Sequence, residues 1–438
     1  MGAGADRALQ AAPPARGAAR SPADECVHCG FCLPVCPTWQ SWQEEMDSPR
    51  GRIDLFRGLQ EGELAMSDAV AAHFDRCLGC MACLGACPSG VRYDHVIDAA
   101  RARVEREHRR PALERLHRAF VFSLFPHPGR LRAAALLLWL WRVSGLRWLF
   151  RRTGLLRLSR RLEQLEALAP PLALRDVLAT IPPATGAHGE RRLRVGLVTG
   201  CVQKVFFPGV NAATVRVLAA EGVEVVAPPG QGCCGALSVH AGRLDEARRL
   251  ARALVERFEG LPLDAIVVNA AGCGSHLKDL AHLFEGDPEF APRAAAFAAR
   301  VRDASELLAG LPPRAPRAPL AARVAYHSPC HLQHAQGVGG APRALLATIP
   351  GLELVEIADG DQCCGSAGIY NLVQPESASE IGRRKAEAVM ATGATVLASA
   401  NPGCTLHVRR LLEERGAGVE PAHPLELLDR AIQAARRG

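Results

Sequence analysis

The chain has 438 residues, a formal net charge of +7 and a hydrophobic fraction of 48%. This length predicts about two or three domains, and the apolar fraction excludes a chain that is disordered throughout. Residues 1–22 are expected to be disordered and contain no apolar stretch of the kind found in export signals. We therefore expect a cytoplasmic chain with reduced thiols, in which clustered cysteines bind metal rather than form disulfides.

Two runs of four cysteines lie in the N-terminal part, 23–110. Each has the spacing C-x2-C-x2-C-x3-C followed by proline, and the second repeats the first 51 residues later. This spacing is typical of bacterial ferredoxins, in which the fourth cysteine of each run binds the cluster of the other run. Paired zinc sites and disulfides are the alternatives, but zinc ligands usually come as two pairs about a dozen residues apart. The pattern predicts one [4Fe–4S] cluster on Cys26, Cys29, Cys32 and Cys87, and a second on Cys77, Cys80, Cys83 and Cys36.

Residues 111–192 are expected to form a basic helical linker. Its segment 115–161 contains eleven arginines and no acidic residue, together with three tryptophans. The apolar run 133–141 is too short to span a bilayer. Two interpretations stay open: peripheral contact with an anionic membrane surface, or packing on a partner protein or on the domains that follow. Nucleic acid is not expected as a partner, because no recognised binding fold accompanies the charge.

The remaining cysteines reveal a duplication, with one copy in 193–312 and the other in 320–438. In each copy apolar strands alternate with helices, which predicts a parallel sheet with the cysteines at the carboxyl ends of its strands. In the first copy we expect a helix over 211–222, with Asn211 as its cap and Gly222 at its end, and a helix over 244–258. The cysteines Cys201, Cys233, Cys234 and Cys273 recur about 130 residues later as Cys330, Cys363, Cys364 and Cys404.

These eight cysteines are candidate ligands of one or two further clusters or of zinc. Adjacent cysteines reach different irons of a cluster more easily than they chelate one ion. A vicinal disulfide and buried structural cysteines remain as alternatives. Five histidines are candidates either for metal binding or for hydrogen bonds to a cluster and its ligands: His276, His327, His331, His334 and His407.

The whole arrangement, from residue 23 to the C-terminus, resembles the iron–sulfur subunit of bacterial glycolate oxidase. The segments that carry the resemblance are "CVHCGFCLPVCPTW", "DSPRGRI", "CPSGVRY", "GCCGA", "HLQHAQ" and "CCGSAG". The duplicated part resembles the cysteine-rich domain of heterodisulfide reductase, which ends in C-x2-C. Here the last position is His276 or His407, so the resemblance leaves open whether these domains hold a cluster, zinc or nothing.

The resemblance implies an α+β and α/β protein: a helical dicluster ferredoxin domain followed by two α/β cysteine-rich domains with parallel sheets. It also implies an electron-transfer subunit without catalytic residues, which takes electrons from FAD-binding subunits of a glycolate oxidase towards quinone. FAD is expected on the partners alone, because the chain has no G-x-G-x-x-G after a strand and no Walker loop. Two alternatives are the iron–sulfur subunit of anaerobic glycerol-3-phosphate dehydrogenase and a thiol–disulfide reductase that uses the Cys-Cys-Gly sites.

Overall fold

The structure is a computed structural model that describes residues 21–154 and 173–437. Most of the N-terminal segment expected to be disordered, residues 1–20, lies outside the described residues. The part that contains the two cysteine runs is helical, as predicted, with short 3-10 turns at Pro22–Glu25 and Glu45–Asp47. Its helices are Pro37–Trp42, Pro49–Glu61, Asp68–Arg76, Ala82–Ala86 and Tyr93–Glu107.

Local sequence explains where the two helices between the cysteine runs begin. Helix Pro49–Glu61 has proline at its first position and Ser48 as its cap, and the Ser48 hydroxyl accepts a hydrogen bond from the Gly51 amide (3.0 Å). Ser67 caps helix Asp68–Arg76 in the same way. Both helices pack on helix Tyr93–Glu107 in a core that also contains cysteine side chains from each run.

Arg52 is a buried cation at the centre of this helical part. Its side chain is 1% exposed. The guanidinium donates to the carbonyls of Asp47 and His73 (both 2.6 Å), to the Thr38 hydroxyl and to the Asp47 carboxylate. Asp47 is buried too and also contacts His73 and Arg76. This network ties the segment after the first cysteine run to the helix that leads into the second.

The described linker forms helices as far as Leu178, but Ala184–Thr185 near its end form strand β1 of the first sheet instead of a helix. One side of the linker packs on the first cysteine-rich copy through Leu131, Ala135 and Val205. No single described helix is long and apolar enough to cross a membrane. Two linker helices reach that length only together, and they meet at an angle of 67°. The last three arginines of the basic segment, within 155–172, lie outside the described residues. The linker helices are Ala112–Leu124, Pro128–Val143, Leu146–Arg152 and Leu174–Leu178.

Each copy of the duplication contains a parallel sheet, so the predicted fold class is confirmed. The first sheet has the order β1-β3-β2-β4-β5, in which β1 alone runs antiparallel. The second has the order β7-β6-β8-β9 and is entirely parallel. The strands are β1 Ala184–Thr185, β2 Leu193–Val198, β3 Val223–Val226, β4 Ala265–Val268, β5 Val301–Asp303, β6 Ala322–His327, β7 Leu352–Glu356, β8 Val396–Ser399 and β9 Glu420–Ala422.

Helices cover the sheets of both copies, and the predicted helix over 244–258 is confirmed. A single π-helical turn, His331–Ala335, follows β6. The α-helices of the first copy are Val202–Phe206, Pro208–Ala220, Ala236–His240, Leu244–Phe258, Ala271–Lys278, Leu280–Leu283, Ala291–Ala298 and Ala304–Ala309. The α-helices of the second copy are Gly340–Ala347, Tyr370–Val373, Pro375–Ala391, Pro402–Glu414 and Pro424–Arg437.

The two copies share one hydrophobic core, which contains Leu197 of β2 and Tyr326 of β6. Helix Pro208–Ala220 lies against helix Pro424–Arg437, and Arg216 forms an ion pair with Asp429 across this contact (2.6 Å). The duplication therefore forms one continuous body.

The predicted cap of the first helix is wrong, although its end is confirmed. The helix begins at Pro208, three residues before Asn211, and it ends before Gly222, which has a φ of 85°. Asn211 is buried inside the helix, where its side-chain amide donates to the Thr199 carbonyl (3.0 Å) and accepts from Asn269. Asn211 therefore fixes the loop after β2 instead of the helix terminus.

The buried network around Arg52 yields a prediction about stability. Arg52→Met removes a buried cation from the Asp47 carboxylate and leaves the Asp47 and His73 carbonyls without their donor, which should lower the free energy of unfolding by about 3–5 kcal/mol. Urea unfolding of the anaerobically purified chain, followed by its helical circular dichroism, measures the change. Arg106→Met, at an exposed position of helix Tyr93–Glu107, is the matched control and should change stability by at most about 0.5 kcal/mol. Equal effects of the two substitutions would contradict the prediction.

Candidate metal centres

The first cysteine run lies at the protein surface and meets the last cysteine of the second run. Cys29 is exposed, and Cys26 and Cys32 are partly buried. These three line a cavity together with Cys87 and Cys83 of the second run. Arg50 holds the loop, because it donates to the His28 carbonyl (3.3 Å) and pairs with Glu45. The structure thus brings Cys87 to the three cysteines predicted to share a cluster with it.

The second run is more deeply buried and is joined by Cys36. Burial raises the pKa of Cys83 well above its usual value, and charge on neighbouring thiols, those of Cys80, Cys77 and Cys36 among them, would raise it further. The Cys36 thiol also lies 3.1 Å from the Thr38 hydroxyl, which contacts Arg52. Cys36 is therefore placed beside the second run, as the crossed assignment requires.

Two buried arginines favour the thiolate form of Cys77. Burial alone would raise the pKa of Cys77, but Arg52, Arg101 and a hydrogen bond with the Tyr93 hydroxyl (3.5 Å) together lower it below its usual value. Metal binding requires thiolates, so a site with a cation nearby loses its protons more easily. Arg101 was not anticipated, because it lies outside the cysteine spacing; Tyr93 ends the segment "CPSGVRY", but no role was assigned to it.

In the first cysteine-rich copy the four cysteines meet at the carboxyl ends of β2, β3 and β4. The Cys201 thiol donates to the Cys233 sulfur (3.5 Å), and the hydrogen bond together with burial raises the pKa of Cys201. Gly235 follows the cysteine pair with a φ of 97°, and an added Cβ would approach the Ala247 carbonyl to 2.9 Å. Glycine is thus required for this close turn. The remaining two cysteines, Cys234 and Cys273, interact through their thiols.

In the second copy the corresponding cysteines are all buried and form an equivalent group. Cys330 interacts with Cys363, whose neighbour Cys364 interacts with Cys404. The Asn401 amide donates to the Cys404 sulfur (3.2 Å). The side-chain oxygen of Asn401 accepts a hydrogen bond from the Gly272 backbone amide of the other copy (3.3 Å). Asn401 was not anticipated, although it lies within the repeated segment around the last cysteine.

The five candidate histidines fall into three groups. His276 and His407 lie behind the Cys-Cys-Gly turns, and the His407 ring donates to the Ala378 carbonyl (3.0 Å). Burial lowers the pKa of each to about 4. His334 donates to the Asp361 carbonyl (3.0 Å) at the surface. His327 lies among the cysteines of the second copy, and His331 points towards the second ferredoxin run.

The second ferredoxin run is clamped by one histidine from each cysteine-rich copy. His240 donates to the Leu78 carbonyl (3.0 Å), and His331 interacts with the backbone of Gly79. The two rings meet edge to face with centroids 6.3 Å apart. Burial lowers the pKa of both histidines, to about 4 for His331. His240 was missed in the sequence because the second copy has a tyrosine at the equivalent position, Tyr370.

The donor set fits iron–sulfur clusters. All sixteen cysteines are free of disulfides. Soft thiolates in tight runs are the ligands that such clusters prefer. The paired runs and the duplicated cysteine-rich domains therefore define an iron–sulfur electron-transfer protein.

Comparison with known proteins agrees with this class. Residues 22–91 match the model of the 4Fe-4S dicluster domain, and 195–278 and 324–409 match the cysteine-rich domain. Residues 113–169 match the linker region of the glycolate oxidase iron–sulfur subunit.

Full-length relatives give the family. The chain is 38% identical to the "probable glycolate oxidase iron-sulfur subunit" of Bacillus subtilis (strain 168). This match extends over 410 residues and covers 92% of each protein. It is 32% identical to the glycolate oxidase iron-sulfur subunit of Escherichia coli (strain K12). This second match extends over 417 residues and covers 93% of the chain and 94% of that protein. The chain belongs to the family of glycolate oxidase iron–sulfur subunits. Lactate utilization protein A of Exiguobacterium sp. is 30% identical over 55% of the chain.

The crossed arrangement of the two runs yields a spectroscopic prediction. Cys36→Ser should damage the cluster bound mainly by Cys77, Cys80 and Cys83, and Cys87→Ser should damage the other, because each fourth cysteine faces the opposite run. Iron content and electron paramagnetic resonance of the dithionite-reduced chain measure which cluster is lost. Each substitution serves as the control for the other. Loss confined to the mutated cysteine's own run would contradict crossed ligation.

Proposed function

We propose that this chain is the electron-transfer subunit of a flavin-dependent glycolate oxidase, which converts glycolate to glyoxylate. In this proposal FAD-binding partner subunits oxidise the substrate, and electrons pass through this chain towards quinone. When bound, two [4Fe–4S] clusters supply one-electron carriers on the eight ferredoxin cysteines. The chain itself contributes no acid or base to substrate oxidation.

A continuous succession of cysteine sites from surface to interior carries this proposal. The first run is exposed at Cys29 and shares its cavity with Cys87. The second run follows inside the protein. Its residues Leu78 and Cys80 pack directly against Cys330 and Cys363 of the second cysteine-rich copy. Thiol groups therefore continue from the surface loop to the end of a parallel sheet, as an electron relay requires.

The exposed end of this succession has the composition of a docking surface. Val27 and Phe31, within the first cysteine loop, are 68% and 65% exposed. Exposed apolar side chains beside a redox centre suit a contact with an electron donor or acceptor. This position supports a flavoprotein partner that meets the chain at the first run.

Loss of the ferredoxin ligands should separate substrate oxidation from quinone reduction. In the purified complex, Cys29→Ser combined with Cys80→Ser should leave glycolate oxidation with an artificial dye near the wild-type rate. Quinone reduction should fall at least about 100-fold, because no side chain replaces the lost carriers. Steady-state assays with both acceptors measure this, and the dye rate is the internal control. Quinone reduction that survives the double substitution would exclude the relay.

The substrate can be tested with the same complex. Activity with glycolate that exceeds activity with lactate and with glycerol 3-phosphate is the expected result. A preference for glycerol 3-phosphate would instead support the iron–sulfur subunit of anaerobic glycerol-3-phosphate dehydrogenase. Thiol–disulfide reduction by the isolated chain would support a reductase that uses the Cys-Cys-Gly sites.

We further propose that the linker makes a peripheral contact with the cytoplasmic face of the cell membrane. Arginines of segment 115–161 lie among exposed apolar side chains on its described helices, which include Leu137 and Trp148. Basic residues near an anionic surface contribute about 1 kcal/mol each, and interfacial tryptophan and leucine add burial. A surface contact needs no membrane-spanning helix.

Vesicle flotation tests the membrane contact. The chain should float with anionic vesicles at low salt, be released by high salt, and bind neutral vesicles weakly, because salt screens the attraction. Trp148→Ala should weaken the binding, whereas Phe31→Ala, an exposed aromatic outside the linker, should leave it unchanged. Equal binding to both kinds of vesicle, or no binding at low salt, would assign the segment to contact with a partner protein.

A further inference from the structure

The two cysteine-rich copies differ at two buried positions close to the cysteines. β6 of the second copy ends in His327, where β2 of the first copy ends in Val198. Helix Pro375–Ala391 carries the buried Lys385, and the equivalent turn of helix Leu244–Phe258 carries buried leucine and valine. The second copy therefore places an imidazole and a cation where the first has only hydrocarbon.

The imidazole of His327 lies within metal-binding distance of two thiols. One ligand atom each from His327, Cys364 and Cys404 lie within 4.8 Å of one another, and all three residues are buried. Among the described residues, the other such group is Asp94, His95 and Asp279, which is partly exposed and already paired with Arg92. Among the described residues, the group at the second copy forms no such ion pair, and the hydrogen bond from the Asn401 amide to the Cys404 sulfur leaves His327 without a partner.

His327 has no other role that the structure provides. It is 1% exposed, and neither ring nitrogen has a hydrogen-bond partner. A buried polar group without a partner costs free energy, so such groups are rare in native proteins. A core histidine of purely structural function would satisfy at least one nitrogen, as His407 does with the Ala378 carbonyl. An unpartnered nitrogen beside two thiols is instead the arrangement of a ligand.

The three ligand atoms lie within 4.8 Å of one another, which is nearer the separation of ligands on one ion than that of thiolates on a cluster. Zinc binds cysteine sulfur at about 2.3 Å and histidine nitrogen at about 2.0–2.1 Å, so ligands of one ion lie within about 4 Å of each other. Thiolates that bind different irons of one cluster lie farther apart. Two thiolates and an imidazole are also the donors that zinc(II) prefers.

We propose that His327, Cys364 and Cys404 bind a single zinc(II) ion in the second cysteine-rich copy. Cys330, whose charge acts on Cys364, is available for the fourth position. The first copy cannot form the same site, because Val198 offers no ligand atom. Lys385, which acts electrostatically on the neighbouring cysteines, balances the negative charge of the thiolates.

The unmodified protein provides the first test. The full chain, purified anaerobically, should contain about one zinc per chain in addition to its iron. X-ray absorption at the zinc edge should show both sulfur and nitrogen in the first coordination shell. Absence of zinc, or a shell of sulfur alone, would overturn the proposal. Because this measurement uses the unmodified chain, its result does not depend on whether a variant folds.

A pair of matched histidine variants provides the second test. His327→Gln should reduce zinc from about one to below about 0.2 per chain, whereas His334→Gln, at a surface position of the following turn, should keep it. The iron content should be equal in both variants, because the ferredoxin cysteines are untouched. Full zinc in His327→Gln would overturn the proposal. Metal content is independent of the substrate, so failure here would leave the proposed glycolate oxidase function intact.

Discussion

Burial of thiolate charge is the constraint on which this structure depends. Most of the sixteen cysteines are buried or partly buried, and each becomes an anion when it binds metal. A buried anion is unstable unless a cation, a hydrogen-bond donor or the metal itself compensates it. The protein meets this requirement with buried cations, namely Arg52 and Arg101 beside Cys77 and Lys385 beside Cys363 and Cys364. Arg52 also organises the backbone, so charge compensation and folding of the ferredoxin part rest on the same side chain.

The histidine clamp connects this local chemistry to the arrangement of the domains. His240 and His331 hold consecutive peptide groups between Cys77 and Cys80, and each histidine comes from a different cysteine-rich copy. The second ferredoxin run is thereby fixed against the cysteines of the second copy. Since the geometry between redox sites determines how fast electrons pass, this clamp is a structural requirement of the proposed relay.

Much of the fold and of the candidate sites could be predicted from the sequence, because the strongest signals are local. Cysteine spacing, apolar strands and helix periodicity predicted the alternation of strands and helices in both copies, and the helix over 244–258 was placed correctly; the edge strands β1, β5 and β9 were not predicted. Contacts that depend on tertiary structure were missed. Asn211 has the residue type of a helix cap, but its partner is a carbonyl at the end of β2. His240 and Arg101 belong to no sequence motif, and each reaches the second cysteine run only through the packing of the folded chain.

The two copies bury apolar surface against each other in a shared core. Leu197 and Tyr326 belong to the same cluster, and the backbone amide of Ala271 donates to the Ala400 carbonyl (3.0 Å) across the junction. Gene fission between the repeats would therefore expose this hydrophobic surface on both products. Such a constraint explains how two copies can diverge in chemistry while remaining covalently joined: the pairing preserves the scaffold, and each set of cysteines is then free to acquire its own neighbours.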